Sequence, residues 1–316
     1  MTKKIALIVQ GNNAKFLAPV RQWFSDRYEV REVSGADEPG IREALDWADL
    51  TWVEWVQDVA VAVSKMARCG RLVMRLHSFE AYTSQPADVV WQNVDALLVV
   101  APHVTDILSL RVPDIEKRTT VFVLPNGIDT ERFSLSADTA RTGRIGFVGQ
   151  LRHTKNLPLV LQCFAAAHEL DPGLTLHLAG EYAGTELEIT ELALYLDHLT
   201  HAMGLSDAVV HHGQVADMPA WLADKDALIS ASLRESFGYN IGEAMACGVC
   251  PAIHNFPGAG SIYPEELIFN TVSQCRDILT KTLPAPQVLR SYALKHWPLE
   301  LQQAKLGELA ALMLSG

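Results

Sequence analysis

The chain has 316 residues, 49% of them hydrophobic, and a formal net charge of -11. That length exceeds one ordinary hydrophobic core and predicts two domains of roughly 150 residues, while the acidic balance argues against a nucleic-acid binder, which needs a basic footprint. No apolar run approaches the roughly 20 residues that span a bilayer, and Met1 to Lys4 lead into a short β-like run instead of a signal peptide. The expectation is a cytoplasmic protein, with peripheral contact at the inner face of a membrane left open.

In chain order, β-like apolar runs fall at Ile5 to Val9, Leu50 to Val53, Leu72 to Leu76, Ala96 to Val100 and Val121 to Leu124. A second series covers Arg144 to Val148, Leu174 to Ala179, Ala208 to His211, Ala227 to Ser230 and Val249 to Ile253. Short apolar runs with helical patterns between them indicate parallel strands joined by crossover helices. The pattern is α/β and doubly wound, present twice. Pro125, Asn126 and Gly127 punctuate a strand end, and a polar stretch runs on to Gly143, so the domains are read as 1–141 and 142–297. The helical stretch after Pro298 is expected to cross back, giving 298–316 to the first domain. Residues 1–141 carry 16 Lys+Arg against 19 Asp+Glu and residues 142–316 carry 10 against 18, so an anionic acceptor or lipid surface is expected on the first domain.

Five scattered cysteines make no disulfide framework. Cys247 and Cys250 have CxxC spacing, but zinc would need a second ligand pair and a thioredoxin-like motif opens a helix, whereas this pair follows one. The two read as small residues packed at a turn. The only Asp-x-Asp, Asp224 and Asp226, precedes a strand, at the end away from a ligand cleft, and reads as a solvated turn.

Between the strand at Ala227 to Ser230 and the helix opening near Ile241 lies a loop, "ESFGYNIGE", residues 235–243. Ligands of open parallel sheets collect beyond the carboxyl ends of strands, where this loop lies. A helix amino terminus offers unpaired N–H groups and a partial positive charge suited to phosphate. Gly238 lets backbone approach a ligand and Gly242 lets the helix pack closely. A carboxylate a turn further in, Glu243, can accept hydrogen bonds from a vicinal diol such as a ribose. Phosphate and diol recognition side by side describe a nucleoside diphosphate. The alternative is that Glu243 complements the helix dipole and Glu235 is a solvated loop charge.

This stretch resembles the E-x7-E signature of the family-4 retaining glycosyltransferases of GT-B fold, two Rossmann-like domains facing across a cleft, with Glu235 and Glu243 as its carboxylates. The "LPNGIDTERF" and "IGFVGQLRHTKNLPLVL" segments are similar to that family's interdomain connection and the opening of its second domain. The resemblance implies that Glu243 holds ribose hydroxyls, that Glu235 contacts a hydroxyl of the transferred sugar, and that Ser236, Phe237, Gly238 and Tyr239 line the donor. It makes Lys155, six residues after Gly149, the diphosphate-binding lysine. The family usually has arginine after that glycine; here stands Gln150, with Arg152 near enough in sequence to substitute. His77, just beyond a strand, matches a histidine near the donor sugar and is assigned to sugar positioning.

Other loop residues carry weaker signals. Gly11, Asn12 and Asn13 follow the first strand and form a phosphate or acceptor loop, short of a G-x-G-x-x-G fingerprint. Glu80 is an acceptor-side carboxylate or a helix N-terminal charge. The stretch from Lys15 to Tyr28, with Leu17, Val20, Trp23 and Phe24, fits either membrane contact or a buried helix face.

The expectation is a metal-independent retaining transferase without a cofactor, using a UDP-sugar or GDP-sugar and a sugar, lipid-linked or small-molecule acceptor in surface polysaccharide, glycolipid or glycoconjugate synthesis. Nucleic acid is not an expected partner. The rivals are a sugar-nucleotide epimerase, an inverting GT-B transferase, and a non-catalytic nucleotide-sugar-binding protein, for which Gln150 is the hint.

Overall fold

A computed structural model describes residues 2–10, 16–135, 141–281 and 283–315; the loop residues Gly11, Asn12 and Asn13 lie outside the described residues. The chain divides into two compact units, Met1–Gly127 with Leu299–Gly316, and Ile128–Pro298. The stretch 128–135, placed by the sequence reading at the end of the first domain, is held in the second unit, where the Arg290 guanidinium donates to the carbonyls of Thr130 at 2.9 Å and Phe133 at 2.8 Å.

The first unit is built on a six-stranded parallel sheet in the order β2-β1-β3-β4-β5-β6. Its strands are β1 (Lys4–Val9), β2 (Glu29–Ser34), β3 (Leu50–Glu54), β4 (Arg71–Leu76), β5 (Ala96–Val99) and β6 (Thr120–Val123). Central strands covered by helices on both faces need unbroken apolar runs, and β1, β3 and β5 supply them. One face packs Met74, Trp91, Leu97 and Val104. The other packs Leu17, Val20, Trp23 and Phe24 with Leu306, Leu309 and Met313 of the Leu299–Leu314 helix. Leu17, Val20, Trp23 and Phe24 are buried, so the amphipathic stretch read from the sequence spends its apolar face on this core. No described helix is long and apolar enough to cross a membrane.

The second unit repeats the plan with β7 (Arg144–Val148), β8 (Thr175–Ala179), β9 (Val209–Gly213), β10 (Ala227–Ser230), β11 (Cys250–His254) and β12 (Ile268–Phe269), in the order β12-β11-β10-β7-β8-β9. The chain moves outward from β7 through β8 to β9, then returns to place β10 on the other side of β7. Right-handed crossovers on either side of such a reversal put helices on opposite faces, and the loops after the two central strands part to leave a crevice. In this unit those loops follow β7 and β10. The corresponding reversal in the first unit lies between β1 and β3.

Backbone contacts set the loop after β7. Gly149 N–H donates to the Ala179 carbonyl at 3.0 Å and Gly180 N–H to the Gly213 carbonyl at 2.7 Å. Gly180 has φ of 145°, and a Cβ there would lie 1.9 Å from the Gly149 carbonyl oxygen. Gly180→Ala is therefore expected to destabilise the protein by roughly 2 kcal/mol or more, through backbone strain and displacement of the Gly149 peptide. A fall in the urea midpoint at unchanged m-value is the measurement; an unchanged midpoint would contradict the packing described.

Candidate functional site

In the second unit the loops after β7 and β10 meet at the reversal point. Lys155 ends a short turn, His153–Lys155, and its stem runs past Gly149, whose ideal Cβ would lie 3.4 Å from Lys155 Cε. The ammonium of Lys155 forms an ion pair with Glu235, both side chains largely shielded from water. Two bonds tie the loops: Leu233 N–H donates to the Thr154 carbonyl at 2.9 Å, and Asn240 Nδ2 donates to the Val148 carbonyl at 3.0 Å. The lysine and the glutamate, 80 residues apart in sequence, are thus held together by backbone and not only by their charges.

The Tyr239–Ala246 helix starts beside this pair. Its cap is Gly238 at φ 76°, a left-handed conformation that glycine adopts freely. Gly238 supplies no side-chain cap, and the positive end of the helix dipole lies there, a place suited to an anion. The preceding Phe237 is buried, its ring 5.2 Å from that of Trp297 and its carbonyl accepting from the Tyr263 hydroxyl. Tyr239 lies edge-on to Phe237 at 5.6 Å, and Ser236 and Glu243 are partly buried. Gln150 is exposed, whereas Arg152 is partly buried, with Nε lacking a hydrogen-bond partner among the described residues.

The first unit has its own polar cluster at the carboxyl ends of β3 and β4. Glu54 and Arg75 are register partners on adjacent strands, fully buried, with Glu54 Oε1 3.6 Å from Arg75 Nη1. Glu54 also accepts from His77 Nε2 at 2.7 Å and from Trp52 Nε1 at 2.7 Å. Burial pushes the Glu54 carboxyl up, but Arg75 and the bonds from His77 and Trp52 outweigh it and hold the group below the usual range. Burial lowers the His77 imidazole against the opposing pull of Glu54. At neutral pH the pair is therefore carboxylate and neutral imidazole.

Glu80 is also fully buried, its Oε1 accepting from Val56 N–H at 3.1 Å and His77 N–H at 3.4 Å. Its Oε2 has no partner among the described residues, and burial pushes the carboxyl up to about 8. It is neither a solvated carboxylate nor a simple helix N-terminal charge at neutral pH.

Two further sequence readings find their places. Cys247 and Cys250 are buried and free, their thiols pushed up to about 12 by burial, as suits small packed residues. Asp226 accepts from the N–H groups of Thr142 at 3.0 Å and Gly143 at 2.8 Å, and Asp224 pairs with Arg144 at 2.5 Å, so both carboxylates are engaged in tying down the start of β7. No group of three or more His, Cys, Asp or Glu side chains among the described residues is arranged to hold a metal ion. A groove of about 680 Å³ lined by Lys3, Asp49, Arg71 and Asp95 opens at the amino ends of the first unit's strands, away from Glu54 and His77. Sequence reading missed Glu54, Arg75 and Trp55. The available signal was charge inside "TWVEWV" and "LVMRLH", since charges buried in a strand need partners.

Residues 128–266 match the family described as glycosyl transferases group 1. The match lies within the second unit. The chain is 28% identical over 173 residues to the mannosylfructose-phosphate synthase of Agrobacterium fabrum, covering 51% of this chain and 37% of that protein. It is 25% identical over 258 residues to the glycogen synthase of Mycobacterium tuberculosis, covering 81% of this chain and 58% of that one. The chain thus spans about half the length of these curated relatives. In fold it is similar to Anabaena Alr3699/HepE, crystallised with UDP and glucose, at TM-score 0.81 and 17% identity over 98% of this chain and 100% of that chain. The sucrose-phosphate synthase of Thermosynechococcus elongatus gives 0.74 and 16% over 99% of each. The two Rossmann-like parallel sheets are of the GT-B α/β class.

The Glu80 environment has a stability consequence. Its folded-state pKa of about 8 lies above the ordinary value of 4.5, so between those values the folded state holds a proton that the unfolded state has released. Relative to Glu80→Gln, stability is full below about pH 4.5 and falls as pH rises toward 8, by at most about 1.4 kcal/mol per pH unit. Urea midpoints of both proteins from pH 5 to 8 measure this difference; parallel curves would contradict it.

Proposed function

We propose that this chain is a retaining glycosyltransferase that moves a sugar from a nucleoside-diphosphate sugar to an acceptor hydroxyl. The observation that carries the reading is the Lys155–Glu235 pair at the β7/β10 reversal, beside the uncapped start of the Tyr239–Ala246 helix. It assembles a cation, backbone N–H groups and a carboxylate where an open parallel sheet takes its ligands. The complexes of Alr3699/HepE with UDP and with UDP-glucose support a UDP-sugar as the first donor to try, with a GDP-sugar as the alternative.

In this reading the diphosphate lies on the helix N-terminus and Lys155, with Arg152 as a second cation in place of the exposed Gln150. Gly149 and Gly238 allow close backbone approach, and Glu243 accepts from the ribose hydroxyls. Ser236, Phe237 and Tyr239 border the donor. Cleavage of the bond between the anomeric carbon and the phosphate oxygen leaves negative charge on the diphosphate, which fixed cations and N–H groups stabilise without rearrangement. The acceptor oxygen bonds to the anomeric carbon on the face the phosphate leaves, and its proton passes to a phosphate oxygen of the leaving group. Glu235, freed from Lys155 when phosphate takes its place, accepts from a hydroxyl of the transferred sugar. In the first unit, His77 is assigned to accepting from a sugar hydroxyl, and Glu80 in its neutral form to donating on the acceptor side. Lys155 and the helix supply charge stabilisation without a metal ion or a cofactor. The acceptor is a sugar, a lipid-linked sugar or a small molecule, and the product a surface polysaccharide, glycolipid or glycoconjugate.

The test is incubation with UDP- and GDP-sugars and a panel of acceptors, following released nucleoside diphosphate and reading the product anomer by proton NMR. Retention is expected, and inversion or C-2 epimerisation of the donor would overturn the assignment. Lys155→Ala should lower kcat by about 10²- to 10³-fold, the loss typical of one oxyanion donor. Glu243→Ala should raise the donor KM by about tenfold or more, as expected for hydrogen bonds to a charged group. Unchanged constants in both variants would remove the site from the chemistry.

A further inference from the structure

The polar cluster of the first unit constrains what His77 can do. We propose that Glu54 is a positioning residue that fixes His77 as the Nε2–H imidazole, so that Nδ1 accepts a hydrogen bond from a hydroxyl of a ligand at the carboxyl ends of β3 and β4. That the ligand is a sugar rests on the transferase reading above; the fixing of the ring does not.

The geometry leaves one tautomer. Glu54 ends β3 with both oxygens engaged, Oε2 by Trp52 Nε1 and Oε1 by His77 Nε2, each at 2.7 Å. The Arg75 guanidinium, 3.6 Å away, keeps the carboxyl ionised, and a carboxylate has no proton to give. The hydrogen between the two groups therefore sits on Nε2. A second proton on the ring would place an imidazolium in the same buried cluster as Arg75, itself fixed by Asn126 Oδ1 at 2.5 Å and the Phe16 carbonyl at 3.2 Å. The nearby Glu80 carboxyl contacts the His77 backbone N–H and, being neutral, supplies no compensating negative charge.

The ring is also held in place. The Trp55 ring lies over it, centroids 4.0 Å apart and planes 30° apart, and Phe16 packs at 5.2 Å. Trp55 reaches that position with φ of 76°, which costs a non-glycine residue about 1 to 2 kcal/mol. Its N–H donates to the Arg75 carbonyl at 3.1 Å. Strain of this kind persists where the surroundings enforce it and marks functional segments. Rotating the imidazole to exchange its nitrogens would break the Glu54 bond.

With Nε2 committed, Nδ1 is the polar ring atom without a hydrogen-bond partner among the described residues, and it can only accept. A hydroxyl satisfies it. The carboxylate of a uronic acid or a phosphate oxygen brings a second lone pair and is repelled. His77 thus selects a neutral sugar with a free hydroxyl at that position.

The experiment is nitrogen-15 NMR of the full chain labelled at histidine, with His77→Gln used to assign the His77 ring. The expected spectrum near neutral pH shows one protonated ring nitrogen, coupled to both ring C–H protons as Nε2 is. Glu54→Gln keeps the shape but offers amide protons to Nε2. It should transfer population to the Nδ1–H form and lower kcat/KM for the sugar nucleotide by about 10- to 100-fold, while affinity for the nucleoside diphosphate alone stays at the wild-type value. A merely structural role for Glu54 would weaken both. An Nδ1–H or doubly protonated His77 in the wild type would overturn the proposal, as would unchanged kcat/KM in Glu54→Gln. If Glu54→Gln does not fold, the wild-type spectrum decides. A wild type that turns over no sugar nucleotide defeats the donor reading instead, and the spectrum still decides whether Glu54 fixes the ring.

Discussion

A parallel sheet with helices on both faces covers its strands everywhere except at their ends, and its loops part only where the strand order reverses. Each half of this molecule obeys that constraint, and each has a cluster of paired, shielded charged side chains at the strand ends where the constraint allows them. In the second unit the reversal between β7 and β10 brings Lys155 to Glu235. In the first, Glu54 ends β3, one of the two strands at the reversal, and binds His77, which follows β4. The topology selects the positions, and side chains then give them chemistry.

The two clusters use charge in opposite ways. In the second unit the Glu235 carboxylate neutralises Lys155 beside the positive end of a helix. An anion entering there exchanges one partner for another, so the lysine is never left buried and unpaired. In the first unit Glu54 and Arg75 compensate each other inside the protein, and the groups beside them are a neutral imidazole and a neutral carboxylic acid. That pairing suits recognition of hydroxyl groups, which give and accept hydrogen bonds without bringing net charge.

The central strands were legible because burial on both faces demands continuous apolar sequence, as in "IALIV" and "LTWV". Two strands were not. β2 is "EVREVS", an edge strand whose burial alternates with exposed charges, and β12 is only Ile268–Phe269 at the opposite edge of the other sheet. Both gain their structure from a neighbour and not from their own composition. Lys155 and Glu235 were each singled out through the family resemblance, but their pairing was not legible, because the two lie 80 residues apart and meet only in the folded sheet. Glu54 was hidden for a different reason: a single carboxylate in an apolar run does not reveal its partners, and Arg75 becomes visible only in the β3–β4 register. Trp55 lies in an apolar run that gives it no signal of its own, and its positive φ and its position over His77 are properties of the folded chain alone.

The central claim is that the loops after β7 and β10, with the helix at Tyr239–Ala246, hold a nucleoside diphosphate. Thermal unfolding of the wild type and of Glu243→Ala with UDP, GDP, ADP and CMP tests it most directly. Ligand at about 100 times its dissociation constant stabilises a protein by roughly 2.7 kcal/mol. The account requires a shift selective for one base among the diphosphates and smaller in Glu243→Ala. A folded wild type that shifts with none of the four nucleotides would contradict it.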